Sequence, residues 1–192
     1  GKTEQAALEA FVEYGPRYAT VVERVSTGLT LPKAVGDLEI GLRLKGGPGT
    51  EFGVPSAIAD FDLAPVTARQ LERLVELLRA AWAAFSRAAY MASGKPLSTG
   101  PRGGGRALDK IRDHVREADE AYIAGLGARA PRGADWQQVQ DAFVDALGAK
   151  VRGELPDRGP RGGERWPARY AIRRSAWHAL DHAWEIDDRA KS

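Results

Sequence analysis

The sequence contains no cysteine. Disulfides, thiolate-ligated metal sites and a cysteine nucleophile are thereby excluded, which leaves His, Asp, Glu and backbone groups as metal ligands. Any thiol chemistry needs a thiol from outside the chain. Long apolar runs are also missing: nothing approaches the ~20 residues that span a bilayer as a helix, and the opening residues Gly1 to Gln5 do not begin a signal peptide. The expectation is a cytoplasmic protein with no membrane partner. An excess of one charge is absent too. With 28 basic against 26 acidic residues and a net charge of +2, the balance does not demand nucleic acid as a partner. Histidine is scarce, at three residues in the chain, and two of them stand four positions apart.

A chain of 192 residues is long enough to bury about 70% of its unfolded surface on its own core. Thr3 to Glu13 has helical spacing that ends at Gly15-Pro16, and Pro16 then opens a second segment, Arg17 to Val25, which also reads as helix. Residues 37–44 (Asp-Leu-Glu-Ile-Gly-Leu-Arg-Leu) alternate with period two and predict a strand. A weaker extended piece runs from Glu51 to Val54, so a small β-hairpin or strand is expected within an extension covering residues 1–66.

From Thr67 the periodicity becomes helical and stays so. Thr67-Ala-Arg-Gln70 has the capping-box pattern, and Leu71, Leu74, Val75, Leu78, Trp82, Phe85 and Ala89 carry one stripe to about Met91. A second helix, about Arg106 to Leu126, places Leu108, Ile111, Val115, Ala118 and Tyr122 on its stripe and closes at Gly125 and Gly127. Asp135 caps a third, with Trp136, Val139, Phe143, Ala146 and Leu147 inward. Pro167 starts the last, Arg169 to Asp188. Four amphipathic helices in succession predict a mainly α chain: an antiparallel four-helix bundle over residues 67–192, on which the extension packs to give one compact unit.

The last helix carries the chemistry. His178, His182, Glu185, Ser175 and Asp181 fall within a sector of roughly 120°, while Ile172, Ala176, Trp177, Ala179, Leu180, Ala183, Trp184 and Ile186 make the rest of the circumference apolar. A helix so wrapped is buried, and buried imidazoles must be paired or bind metal. His114 lies at the edge of the second helix's stripe. One histidine from that helix and an i, i+4 pair from another offer three nitrogen ligands with a coordination position left open, the arrangement of a catalytic rather than a structural site. The competing reading is a buried hydrogen-bond network of the same histidines with Asp181 and Glu185.

Residues 103–122 around His114 and residues 169–189 around His178 and His182 resemble the DinB/YfiT-like family of metalloenzymes, four-helix bundles with such a histidine triad; the resemblance covers about Thr67 to Ser192. It implies that His114, His178 and His182 hold a divalent metal, zinc or nickel. It further implies activities such as thiol S-transfer or isomerisation with mycothiol or bacillithiol as cosubstrate, mycothiol being the thiol that the Ala-, Arg- and Gly-rich composition points to, and a homodimer. A small-molecule substrate, transformed by a metal-activated thiol or water in a transferase, isomerase or hydrolase reaction, is the favoured expectation. A non-catalytic metal- or small-molecule-binding stress or interaction protein is the alternative, and nucleic-acid binding a distant third.

Glu185, three residues after His182, has three possible roles: an acceptor that fixes the imidazole tautomer, a direct ligand, or a general base for bound water or thiol. The first is favoured. Glu117 stands in the same relation to His114 and reads as solvated or near the site mouth. The glycine loop Gly100 to Arg106 lacks the Lys-Ser/Thr of a phosphate-binding loop and follows no strand, so it reads as structural. The arginines at 152, 158, 161, 165, 169, 173 and 174 read as a solvated loop and helix start, with an anionic substrate group as the next reading.

Overall fold

A computed structural model describes residues 3–25, 28–50, 53–99 and 105–190. Among these there are six α-helices: α1 (Glu4–Val22), α2 (Asp60–Leu63), α3 (Ala68–Met91), α4 (Leu108–Leu126), α5 (Trp136–Val151) and α6 (Ala168–Arg189). The contacts divide the chain into two compact units, Gly1–Ala57 and Ile58–Ser192. The division falls ahead of the 66/67 boundary read from the sequence, because the single turn of α2 belongs with the bundle: the buried Asp62 carboxylate caps α2 at the Ala59 N–H and pairs with Arg173 on α6.

In the first unit, α1 is one helix rather than two. Pro16 lies inside it and Thr3 caps its start, accepting from the Ala6 N–H at 3.2 Å. Proline breaks a helix partly because its ring crowds the preceding residue's Cβ. Here that residue is Gly15, which has none.

The strand expected at Asp37 to Leu44 is not formed. Asp37 instead ends a 3₁₀ turn (Val35–Asp37), accepting from the Lys33 and Ala34 N–H groups, and the residues after it are irregular. Ile40, Leu42 and Leu44 are exposed. Alternation yields a strand only where a neighbour satisfies the backbone edge, and the described residues provide none. Of the second extended piece, Glu51 and Phe52 lie outside the described residues and Val54 is irregular.

The second unit is a four-helix bundle whose caps follow the sequence closely. Thr67 and Gln70 form a reciprocal capping box at α3, as do Asp135 and Gln138 at α5. Gly127 ends α4 at φ 105°, with its N–H donating to Ala124 O and that of Ala128 to Ile123 O, the bonding of a Schellman cap. The core includes Leu78, Ile111, Val115, Ile123, Leu126, Val139, Phe143, Leu147 and Ile186. Trp82 meets Phe143 and Trp136 edge to face.

The helix directions correct the antiparallel expectation. Arg169, at the start of α6, donates to Ala64 O and Pro65 O just before α3, and Arg189, at its end, donates to Ser98 O just beyond α3. α3 and α6 therefore run the same way. α4 runs opposite to α6, since Arg106 O ahead of α4 accepts from Arg189 while Gly125 O near its end accepts from the Trp166 N–H. α5 runs with α4: its first residue, Trp136, lines one cavity with Asp109 and Arg112 from the start of α4, and Pro156, beyond its end, lies against Gly127. The order is up, down, down, up. A connection of 127–135 suggests a tight antiparallel hairpin, yet nine extended residues reach about 30 Å, enough to return along a 19-residue helix of about 28 Å.

Candidate metal centre

The three histidines, 64 residues apart at their widest neighbouring contact, meet at one point. His178 Nε2 lies 3.2 Å from His114 Nε2 and 3.2 Å from His182 Nε2, and one ligand atom from each of the three falls within 4.8 Å of the others. α6 supplies His178 and His182 one turn apart on one face, and the antiparallel α4 presents His114 to that face. The α6 pair is 7% exposed at each residue, while His114 is half-buried.

Three imidazole nitrogens this close can offer their lone pairs to one common cation. His182 Nδ1 lies 2.7 Å from Glu185 Oε2, a contact that, in a neutral ring, places the proton on Nδ1 and leaves Nε2 as a lone pair. With neutral rings, His178 Nε2 can then satisfy one of its two neighbours and not both, because it carries either a single proton or a lone pair. A divalent ion at ~2.0–2.1 Å from each nitrogen holds tetrahedral ligands about 3.3 Å apart, close to the spacing found. The residues fit a metal.

The rings are also held in the form that ligates. Burial, reinforced by the His182 and His114 imidazoles and then by Arg174 and Arg106, pushes the His178 pKa down to about 3. Burial likewise lowers that of His114, with His182 and Arg106 adding to it and Glu117 and Glu185 opposing it. Both are neutral, with a lone pair available, at ordinary pH.

Glu185 is fixed from two sides: its Oε2 accepts from His182 Nδ1 and its Oε1 from Arg189 Nη1, each at 2.7 Å. Arg189, 6% exposed, continues outward to Ser98 O at 2.8 Å and Arg106 O at 2.9 Å. The chain His182–Glu185–Arg189 thus ties one imidazole's orientation to the segments flanking the glycine loop. Gly105 must be glycine for this: at φ 153°, a Cβ there would stand 2.5 Å from Arg189 Nη2.

Other residues singled out by the sequence lie apart. Asp181 and Glu117 are exposed, Glu117 facing Arg116 at 3.8 Å. Ser175 sits deeper in the bundle, accepting from Trp82 Nε1 at 3.1 Å and donating to Asp119 Oδ1 at 2.6 Å. Trp177 lies beside His178 with ring centroids 6.1 Å apart. Residues 100–104 of the glycine loop are outside the described residues. Most of the arginine group is engaged: Arg152 with Glu154, Arg165 with Ala124 O, Arg169 with Ala64 O and Pro65 O, and Arg173 with Asp62.

Asp119 and Arg189 escaped the sequence reading. Each carried a signal: Asp119 is a lone acid four residues after Val115 on the apolar stripe of α4, and Arg189 follows Glu185 by four on the polar stripe of α6. A cavity of about 560 Å³ lined by Phe85, Tyr90, Asp109, Arg112 and Trp136 includes none of the triad. Among the described residues no helix is long and apolar enough to cross a membrane. Comparison of the chain with family models, with curated proteins and with solved structures returns no match.

Proposed function

We propose that the chain is a DinB/YfiT-like metal protein in which His114, His178 and His182 hold one divalent ion, zinc or nickel. The observation that carries this reading is the convergence of the three Nε2 atoms with a contact geometry that neutral imidazoles cannot satisfy by themselves. Support also comes from the second coordination layer: Glu185 fixes the proton of His182 on Nδ1 and is itself locked by Arg189, the kind of carboxylate support that ligating histidines use. Glu185 is therefore a positioning residue. The histidines supply no charge, so a bound divalent ion retains its full Lewis acidity and lowers the pKa of a coordinated thiol or water.

The reaction class that follows is transfer or isomerisation with an external thiol of the mycothiol type, or hydrolysis. The absence of cysteine fits a nucleophile brought in as cosubstrate. Purified protein freed of metal with chelator and titrated with zinc or nickel should take up one ion per chain, and His178→Ala should take up none tightly. Turnover of an electrophile with mycothiol by the loaded protein, lost in His178→Ala, distinguishes the enzyme from a non-catalytic metal binder. Failure of the wild-type protein to bind either ion would remove the proposal.

A further inference from the structure

Arg174 stands one turn before His178 on α6, on the same side of the helix. Its Nε and Nη1 are buried and have no hydrogen-bond partner among the described residues, and its Nη2 lies 3.5 Å from the Tyr122 hydroxyl. Among the described residues no carboxylate pairs with it, in contrast to Arg173 and Arg189 on the same helix. The guanidinium lies against two aromatic faces, 5.7 Å from the Tyr122 ring centroid and 5.1 Å from that of Trp177. Both rings in turn approach His178, at 6.1 Å each. Cation–π contact offsets only part of the loss of water around a guanidinium, and donors left without acceptors are costly.

We propose that Arg174 is the specificity-determining residue of the metal site, receiving the carboxylate of a small ligand whose other end, a thiolate or oxygen, meets the ion. The inference rests on the metal reading above. Three neutral imidazoles and an unpaired guanidinium leave a loaded site with excess positive charge, since Glu185 is already matched by Arg189. Four residues, about 6 Å of rise, separate the Arg174 and His178 positions along α6, so the carboxylate stands a few bonds from the coordinating atom rather than on it. Tyr122 and Trp177 form flat walls for the short chain between them.

The test uses protein loaded with Co(II), whose absorption reports thiolate coordination, and two probes of similar length: 3-mercaptopropionate and the neutral 3-mercapto-1-propanol. The anionic thiol should bind the wild-type protein at least about ten-fold more tightly, the scale of a charge-assisted hydrogen bond. In Arg174→Met, which keeps the apolar stem between the two rings, that advantage should disappear while the affinity for the neutral thiol and the metal stoichiometry stay the same. Arg174→Lys should retain part of the advantage and serves if the Met variant does not fold. Equal affinities of the wild-type protein for the two probes, or an advantage undiminished in Arg174→Met, overturn the assignment of Arg174 while leaving the metal site standing. Absence of stoichiometric Co(II) overturns both.

Discussion

Replacing Glu185 by Gln is the sharpest probe of the centre, because it changes charge and acceptor count while keeping shape. The carboxylate accepts at both oxygens, from His182 Nδ1 at 2.7 Å and from Arg189 Nη1 at 2.7 Å. A carboxamide has one acceptor oxygen, so in either orientation it must turn its NH₂ toward a donor and lose one of the two bonds. If the His182 bond is lost, the imidazole is no longer held with Nε2 free. If the Arg189 bond is lost, a buried cation loses its carboxylate partner while its bonds to Ser98 O and Arg106 O remain. Loss of such support for a ligating histidine lowers metal affinity about 10–100-fold, or about 1.4–2.7 kcal/mol. The metal-free protein should also lose about 1–3 kcal/mol of stability, the penalty for an unsatisfied buried donor. Competition with a chromophoric chelator measures the first and denaturant unfolding in chelator the second. Wild-type affinity together with wild-type stability would refute the two-sided role of Glu185.

Zinc or nickel should raise the unfolding temperature of the wild-type protein, by about 2.7 kcal/mol of added stability at metal a hundred-fold above Kd, and should leave His178→Ala unchanged; calorimetry with and without chelator checks both. Burial raises the Asp119 carboxyl to about 7, against the opposing hydrogen bonds from Ser175 and Trp82. The folded protein therefore binds a proton there that the unfolded chain releases near its ordinary value of 3.8, so stability contributed at this site is present below that value and declines as pH rises to about 7. Denaturation curves between pH 5 and 8 should show this decline in the wild-type protein, by an amount on the order of a few kcal/mol, and Asp119→Asn should flatten it. Gly125→Ala should destabilise despite alanine's better helix propensity of ~1 kcal/mol, because the new Cβ would stand 2.9 Å from Trp166 Cδ2. Overpacking of ~1–3 kcal/mol leaves a net loss of up to ~2 kcal/mol, and an unfolding midpoint at or above the wild-type value would contradict the close approach of Trp166. Leu78→Ala, at a fully buried position, should cost about 2–5 kcal/mol in the same assay.

Where local chemistry was sufficient, the chain was legible. The caps at Thr67, Asp135 and Gly127 sit where their side chains or backbone freedom predicted, because capping is settled within a few residues. The four helices of the bundle follow from apolar periodicity, and His178, His182 and Glu185 fall on one face from spacing alone. Local rules misled at Pro16, where a preceding glycine let the helix continue, and at residues 37–44, where alternation found no partner strand.

The amino-acid sequence by itself excluded cysteine ligands and nucleophiles, and its order determined the bundle helices, their buried faces and the pairing of two histidines on α6, since these depend on near neighbours along the chain. Only the tertiary structure decided that α4 runs against α6 and with α5, that His114 closes the triad, that Arg189 locks Glu185 and that Arg174 meets no carboxylate among the described residues. Those are relations between side chains far apart in sequence, and they depend on helix direction and depth, quantities that periodicity does not contain.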